Sequence, residues 1–179
     1  MAAFQIVELD RSWKGKTRLF RYRTEGYLDI QLTEEQGISR IAFCPRLFPK
    51  PVEKELEVSW MKDFLRDPRL FAAMTGQGEV AGYLELNLER WNNRMRVTNL
   101  FVEEPFRGQG AGFCLMEHAF SVSRRAGARM MVLETQSCNL PAIRFYQSMG
   151  YAIGGFDLFH YSNEDIQRHE VRMEMMRFL

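Results

Sequence analysis

In many segments of the chain, apolar residues alternate with polar ones or form short runs, which predicts β-strands. The most regular segment comes last, where Val171, Met173 and Met175 alternate with charged residues. Residues 70–74 and 79–88 predict a hairpin, because Gly76-Gln77-Gly78 supplies turn residues between them. The predicted strands are residues 4–9, 17–32, 70–74, 79–88, 97–102, 130–133, 151–153, 156–161 and 171–178.

A longer apolar period predicts three helices. Residues 53–66 place Leu56, Trp60 and Phe64 at helical spacing, and Pro68 would end that helix. The second helix begins near Phe113, where Leu115, Ala119 and Val122 fall on one face, and Gly127 is its expected C-cap. The third lies between Asn139, a good N-cap, and Gly150. Prolines at 45, 49 and 51 predict a loop before the first helix.

The order of these elements is strands, a helix, a meander and then a βαβαβ unit. This order predicts an α/β (α+β) protein with a mixed sheet and helices packed on it. A chain of 179 residues without repeats or low-complexity linkers fits a single domain covering residues 1–179.

Composition narrows the class of protein further. The chain is 46% apolar with a formal net charge of +1, so no strong field recruits nucleic acid or an anionic membrane. Its three cysteines, Cys44, Cys114 and Cys138, have no metal-ligand spacing and cannot all pair, which favours a reducing compartment and no metal site. The first residues, from Met1, lack the pattern of a signal peptide. We therefore expect a cytoplasmic monomer or homodimer without a membrane span.

The most informative segment is Phe106-Arg107-Gly108-Gln109-Gly110-Ala111-Gly112, between a predicted strand and a predicted helix. Its three glycines allow a ligand to approach the backbone amides, and the positive end of the next helix dipole points to the same place. Arg107 adds a charge that suits phosphate oxygens. These features predict a diphosphate-binding turn.

Two common diphosphate ligands fit this turn poorly. A P-loop needs Lys and then Ser or Thr after its last glycine, and Ala111 follows Gly110 here. A dinucleotide fingerprint needs the spacing G-x-G-x-x-G and an acidic residue about twenty positions later. This chain has G-x-G-x-G, and Glu134 is a weak match for the acid. The remaining pattern, Arg107-x-x-Gly110-x-Gly112, resembles that of the GNAT superfamily of acyl-CoA-dependent N-acetyltransferases.

A second motif about thirty residues later strengthens this resemblance. Asn139, Ala142, Phe145, Tyr146 and Gly150 match the second GNAT signature at the expected distance from the first. More narrowly, the chain resembles the streptothricin acetyltransferases over roughly residues 81–179. That likeness rests on Leu84-Glu85-Leu86-Asn87, Trp91-Asn92-Asn93, Leu133-Glu134-Thr135-Gln136 and Gly154-Gly155-Phe156-Asp157-Leu158-Phe159.

The resemblance implies a GNAT fold, in which a mixed, mostly antiparallel sheet contains a splayed parallel strand pair and has helices on both faces. It also implies acetyl-CoA as the cofactor. Backbone groups of Leu100, Phe101 and Val102 would bind pantetheine, and a backbone N–H near Val102 would stabilise the oxyanion. The pyrophosphate would bind Arg107, Gly108, Gln109, Gly110, Ala111 and Gly112. The thioester side would be lined by Asn139, Ala142, Phe145 and Tyr146.

Amide formation from a thioester needs a neutral amine and a proton for the departing thiolate. The resemblance makes Tyr146 the expected proton donor. Many relatives carry a carboxylate on the strand before the glycine loop, where this chain has Thr98 and Asn99. The candidate bases are therefore Glu85 and Glu134, with Glu103 as a third. Cys138 is expected to be a small buried hydrophobe rather than a nucleophile.

Streptothricins and other amino antibiotics are polycations, so their acceptor site should be acidic. Glu85 and Glu134 are candidate anchors, and Glu89, Glu103 and Glu104 would add charge. Trp91 would stack on a sugar or a cation. Two alternatives stay open, a GNAT enzyme for a polyamine, amino acid or protein amine and a non-catalytic acyl-CoA-binding module.

Overall fold

The computed structural model describes residues 4–179, so the residues 1–3 that enter the signal-peptide argument lie outside the described part. In chain order its elements are β1 (Gln5–Leu9), β2 (Thr17–Glu35), β3 (Ile38–Ser59), β4 (Arg69–Met74), β5 (Val80–Glu89), β6 (Arg94–Val102), α1 (Ala111–Arg125), β7 (Met130–Gln136), α2 (Leu140–Ser148), β8 (Ala152–Asp157) and β9 (Arg172–Phe178). Among the described residues, no helix is long and apolar enough to cross a membrane.

The described residues form two compact units. The first contains residues 4–20, 56–133 and 176–179, and the second contains residues 21–55 and 134–175. The chain passes from one unit to the other within strands, for example between Leu133 and Glu134 of β7.

The first unit is built on a sheet in the order β1-β4-β5-β6-β7. Neighbouring strands are antiparallel except β6 and β7, which are parallel. The connection from β6 to β7 contains α1, as expected because parallel neighbours need a crossover. Residues 130–133 of β7 are all buried, which explains their continuous apolar run. The prediction of a mixed, mostly antiparallel sheet with one parallel pair is confirmed.

Strand β6 changes its pairing partway along. Its parallel register with β7 runs from Arg94–Met130 to Val97–Leu133 and ends there, whereas β6 continues to Val102 against β5. The register with β5 also shifts at this point, because Glu85 faces Asn99 while Leu86 faces Val97. Thr98 is therefore the extra residue of a β-bulge. The bulge lies immediately after the last parallel pair.

The core of the first unit is rich in aromatic side chains. Phe20 stacks on Phe101 with ring centroids 3.6 Å apart and meets the edge of Trp60 at 5.8 Å. Trp60 in turn lies 5.4 Å from Tyr83, also between centroids. The buried cluster consists of Phe20, Val58, Trp60, Met61, Leu70, Ala72 and Tyr83. Residues on one buried face of α1, including Leu115 and Ala119, complete the expected apolar stripe.

The second unit holds most of the two-stranded ribbon of β2 and β3, together with α2, β8 and most of β9. Its residues 134–175 are tied together at Ser137, whose amide donates to Val171 O at 2.8 Å. The Ser137 carbonyl accepts from the amide of Leu28 at 2.9 Å, and its hydroxyl donates to His169 O at 2.6 Å. One buried serine thereby links the ribbon, β7 and the segment before β9 within this unit.

Two predictions for residues 45–66 are wrong. The proline-rich stretch is not a loop and residues 53–66 are not a helix, because β3 runs continuously to Ser59. Exposed Glu53, Glu55 and Glu57 alternate with half-buried Val52 and Lys54 and buried Val58, which is a period of two. The prolines are tolerated because both strands of a two-stranded ribbon are edge strands.

The other predicted elements agree with the structure to within a few residues. The hairpin of β4 and β5, the turn at Trp91, both later helices and the closing strand are confirmed. One predicted boundary is wrong, since β8 ends at Asp157 and residues 158–161 form a turn and a bend. Asp157 accepts from the amide of Phe159 at 3.2 Å, and this local turn stops the strand.

Gly82 in β5 generates a stability prediction. A Cβ at this position would lie 2.5 Å from Phe101 O and 3.1 Å from a Leu115 methyl, in a buried part of the sheet. We expect Gly82→Ala to lower the Tm by about 5 °C, because overpacking costs about 1–3 kcal/mol. Gly76→Ala is the matched control, since a Cβ there meets nothing within 4 Å. Equal Tm values for the two variants would contradict this packing.

Candidate active site

The glycine-rich turn of the first unit presents a helix N-terminus. Gly108 and Gly110 have φ values of +73° and +96°, a region that side chains rarely adopt. Gly110 is the N-cap of α1, and within residues 4–179 no side chain caps the amides that follow it. Helix geometry leaves the first amides, from Ala111 onwards, without intrahelical acceptors. They are therefore available to an anion, which the helix dipole also favours.

The other side chains of the turn hold it in shape. Arg107 Nε donates to Val102 O at 3.2 Å, and the guanidinium lies 5.7 Å from the Phe101 ring centroid. Gln109 Nε2 donates to Pro105 O at 2.6 Å. Arg107 is thus anchored at the end of β6 although it is exposed, which places its charge beside the turn.

Backbone groups near the end of β6 face two directions. The amide of Glu103 donates to Ala81 O at 2.9 Å, so Glu103 faces β5. Because facing directions alternate along an antiparallel strand, Phe101 also turns its backbone groups to β5, while Leu100 and Val102 turn theirs away. Of the three residues predicted to contact pantetheine, Leu100 and Val102 are the two whose backbone groups do not face β5.

Glu85, a predicted base and anchor, is fully buried. Its Oε1 accepts from the amide of Met61 at 2.6 Å, and its Oε2 accepts from Asn99 Nδ2 at 2.6 Å. Thr98 Oγ1 donates to the Glu85 carbonyl at 3.1 Å. The carboxylate is therefore satisfied inside the first unit, and its surroundings are those of a structural group.

Most of the other predicted acidic anchors are paired with arginines. In the first unit Glu89 binds Arg94 at 3.0 Å and Arg96 at 2.5 Å, and Glu103 binds Arg18. These pairs neutralise the carboxylates, so they do not form the acidic acceptor surface expected for a polycation. Among residues 4–179 no arginine pairs with Glu104, which lies exposed in the turn after β6.

Trp91 borders a cleft of about 480 Å³ in the first unit. Its side chain is highly exposed, at 84%, as is Phe64 on another part of the rim. The polar and charged lining residues are Arg66, Asn87, Glu89, Arg90, Arg96 and Thr98. Three arginines and one glutamate line the cleft; Arg96 pairs with that glutamate, and Arg90 lies 3.9 Å from Asp67. The cleft also reaches the bulge, through Thr98, which makes it a candidate acceptor pocket.

In the second unit, the predicted motif residues of α2 have separate local roles. Asn139 Oδ1 accepts from the amide of Ala142 at 3.3 Å, which confirms Asn139 as the N-cap. That bond also occupies the Ala142 amide. Phe145 is half-buried and its ring centroid lies 5.4 Å from that of Tyr146.

Tyr146 lies in an aromatic, largely water-free environment. Its side chain is buried, and its ring centroid is 6.0 Å from that of Tyr151. Burial raises the pKa of the Tyr146 phenol well above its ordinary value. Tyr146 is therefore a neutral phenol with its proton in place across the working pH range, as a proton donor must be.

Glu134 is the more accessible of the two predicted carboxylates. Its Oε1 accepts from the Tyr161 hydroxyl at 2.6 Å, and its Oε2 lies 2.9 Å from Arg172 Nε. Burial, followed by the bond to Glu134, raises the pKa of Tyr161. The glutamate side chain is nevertheless 37% exposed, so water can reach it.

The sequence pattern did not single out Tyr161, Arg172 or Met61 as partners of predicted site residues. The side chains of Tyr161 and Arg172 reach Glu134, and the backbone amide of Met61 reaches Glu85, only through the fold, so no local spacing predicts these contacts. Cys138 is fully buried, as expected of a packed side chain, and burial raises the pKa of its thiol.

Comparison with known proteins places these features in a family. A model described as "Acetyltransferase (GNAT) family" matches residues 35–151. The chain is 37% identical over 91 residues to a streptothricin acetyltransferase of Streptomyces lavendulae, a region covering 51% of this chain and 48% of that protein. It is 32% identical over 95 residues to a peptidyl-lysine N-acetyltransferase of Salmonella typhimurium, covering 53% and 58%. The chain thus spans about half the length of these curated relatives.

A solved structure extends the likeness to the whole chain. The crystal structure of nourseothricin acetyltransferase superposes with a TM-score of 0.74 over 98% of each chain. The sequence identity in that comparison is 23%, so this likeness concerns the fold.

The environment of Tyr146 predicts its titration behaviour. Because burial raises its pKa, Tyr146 should not ionise below about pH 11, one unit above the phenol reference of ~10. Absorbance of tyrosinate at 295 nm, followed up to that pH, should be the same for the parent and for Tyr146→Phe. A titration in which the variant shows one tyrosine equivalent fewer than the parent would contradict the assignment.

Proposed function

The chain belongs to the GNAT family of acetyltransferases, and on that premise we propose that it transfers an acetyl group from acetyl-CoA to a primary amine. The amine would belong to a small molecule and attack directly in a ternary complex. The observation that carries the proposal is the uncapped start of α1, formed by Gly108 and Gly110, beside Arg107. We place the reaction in the cytoplasm, in line with the unpaired cysteines of the sequence.

The donor would bind through backbone groups. Amides from Gly108 to Gly112 would receive the pyrophosphate, with the charge of Arg107 alongside. Leu100, which faces away from β5, would hydrogen-bond the pantetheine arm, because the Val102 carbonyl already accepts from Arg107 Nε at 3.2 Å. The Val102 amide would stabilise the oxyanion as the amine attacks the thioester carbon.

Tyr146 is the proposed general acid. As the C–S bond of the tetrahedral intermediate breaks, its phenol would give a proton to the departing thiolate of CoA, and the second proton lost by the attacking nitrogen would restore the phenol. The proposal is supported by the match to the second family signature and by the buried, neutral state of the phenol. Desolvation weakens the phenol as an acid, but it also strengthens the thiolate as a base, so the transfer stays feasible when both are desolvated together.

Glu134 is the proposed base, acting through a water molecule. Amines are protonated at neutral pH, so a carboxylate that accepts this proton through water would supply the neutral nucleophile. The exposure of Glu134 supports this role, and its bonds to Tyr161 and Arg172 would fix its direction. Glu134 was also predicted as a substrate anchor, and both roles would use the same carboxylate.

An aminoglycoside-like or streptothricin antibiotic is the first acceptor that we propose. The sequence likeness to a streptothricin acetyltransferase over half the chain supports it. Trp91 and Phe64, exposed on the rim of the cleft, would cover the sugar or ring portion of such a ligand.

The charge of the cleft supports a second candidate acceptor. Three arginines beside one glutamate would favour an amine that also carries a carboxylate, such as an amino acid or a peptide. The likeness to a peptidyl-lysine acetyltransferase is consistent with this candidate.

A panel of amines tests the acceptor. Purified protein and acetyl-CoA would be incubated with streptothricin, a polyamine, free amino acids and a lysine-containing peptide, and thiol release would be measured. We expect release with streptothricin and none without an amine. Release only with carboxylate-bearing amines would replace the antibiotic with the second candidate. Tight acetyl-CoA binding without release from any amine would instead indicate a non-catalytic binding module.

Tyr146→Phe tests the proton donor. We expect kcat to fall about 100-fold or more, the usual contribution of general acid catalysis, with little change in KM for acetyl-CoA. Tyr27→Phe is the control, because it removes a phenol whose ring stacks on His169, 3.6 Å away between centroids. An unchanged kcat for Tyr146→Phe would remove Tyr146 from the mechanism.

A further inference from the structure

The buried Glu85 carboxylate joins three segments of the first unit. One oxygen binds the amide of Met61, which follows β3, and the other binds the Asn99 side chain on β6. Both distances are 2.6 Å, the short range of charge-assisted hydrogen bonds. Glu85 itself belongs to β5, so a single side chain ties two neighbouring strands to the segment before β4.

Met61 adopts a backbone conformation that needs such support. Its φ is +51°, which is unfavourable for a residue with a side chain, and it is 5% exposed within the aromatic core. The neighbouring Trp60 is held by backbone bonds, from its amide to Lys16 O at 3.0 Å and from the Gly15 amide to its carbonyl at 2.9 Å. Glu85 supplies the corresponding partner for the Met61 amide.

Asn99 follows the bulge at Thr98. The bulge determines which residues in the rest of β6 turn their backbone groups towards β5 and which turn them away. An extra residue in a strand exchanges which residues face each side beyond it. With the bulge, Leu100 and Val102 turn their backbone groups away from β5. If Thr98 paired regularly with β5, without a bulge, the backbone groups of Phe101 would instead be the ones turned away from β5. Glu85 binds both the bulge residue and the residue after it. Its carbonyl accepts from Thr98 Oγ1, and its carboxylate accepts from Asn99 Nδ2.

We propose that Glu85 is a positioning residue and not the general base. Its carboxylate, through Asn99, holds the β6 bulge so that Leu100 and Val102 present their backbone groups to the acetyl-CoA thioester. This inference rests on the proposed function for the identity of the ligand. The hydrogen-bonded clamp of Glu85, Asn99 and Met61 does not depend on that identity.

A base role fits the geometry poorly. A general base needs a lone pair within reach of a proton on the substrate or on a water. Both Glu85 oxygens already accept short hydrogen bonds, and the side chain has no exposed surface. Glu85 therefore acts on the ligand through the backbone that it holds.

Exchange of the two side chains tests the clamp. In Glu85→Gln, the amide oxygen still accepts from Met61, and the amide NH₂ donates to Asn99 after its side-chain amide flips. In Asn99→Asp, two carboxylates meet in a buried place and repel each other. The double variant Glu85→Gln/Asn99→Asp restores one amide and one carboxylate with their positions exchanged. Glu79→Gln, in the exposed hairpin turn, controls for loss of a glutamate charge.

The stability arm needs no ligand. We expect Glu85→Gln to remain within about 3 °C of the parent Tm and Asn99→Asp to lose about 10 °C at pH 8. The loss should shrink as the pH falls, because one of the paired carboxylates then takes up a proton. The double variant should recover most of the Tm. Independent, additive losses in the two single variants and the double variant would overturn the clamp.

The activity arm separates a positioning residue from a base and from a purely structural one. We expect kcat of Glu85→Gln to stay within about threefold of the parent with an unchanged pH profile. Asn99→Asp should lose about 10- to 100-fold in kcat, and the double variant should regain it. A 100-fold loss in Glu85→Gln with a lost acidic limb would make Glu85 the base. Normal kcat in Asn99→Asp, despite its lower Tm, would contradict positioning.

The clamp can also be tested if the protein proves to have no acetyltransferase activity. If the parent releases no thiol with any amine, acetyl-CoA affinity measured by calorimetry replaces kcat as the readout. Weaker binding in Asn99→Asp with recovery in the double variant would then support the clamp. Equal binding in all four proteins would overturn it.

Discussion

The pairing of β6 is the constraint on which the first unit depends. Up to Val97 the strand is paired on both sides, and beyond the bulge at Thr98, within residues 4–179, it pairs with β5 and no longer with β7. Strand backbone that lacks a neighbour must find other partners, because unpaired buried amides and carbonyls are costly. The uncapped start of α1, with Gly110 at its N-cap, likewise has backbone amides without an acceptor inside the helix. Both features leave backbone groups available to an extended ligand that carries a diphosphate.

Charge compensation shapes the rest of the candidate site. Glu89, Glu103 and Glu134 each pair with arginine, so their carboxylates contribute little net negative charge to the surface. Glu85 is satisfied by two hydrogen-bond donors inside the core. The chemistry proposed here therefore depends mainly on backbone dipoles and on one buried phenol, Tyr146, and less on an acidic surface.

The sequence predicted the later part of the fold well because its signals are local. Glycines with positive φ at the turn, the Asn139 cap and the apolar stripe of α1 are each determined within a few residues. Residues 45–66 were misassigned because prolines and a few apolar side chains at helical spacing outweighed the two-residue alternation of charge in β3. The partners of Glu85 and Glu134 depend on contacts between distant segments, which spacing alone does not encode.

The central claim is that the glycine-rich start of α1 binds the pyrophosphate of acetyl-CoA. Calorimetry with acetyl-CoA, acetyl-dephospho-CoA and S-acetylpantetheine tests it most directly, because only the last lacks the pyrophosphate and its adenosine. We predict that acetyl-dephospho-CoA binds within about tenfold of acetyl-CoA, whereas S-acetylpantetheine binds at least about 100-fold more weakly, since charge-assisted hydrogen bonds contribute about 1.5–3 kcal/mol each. Equal affinities for the three thioesters would contradict the account.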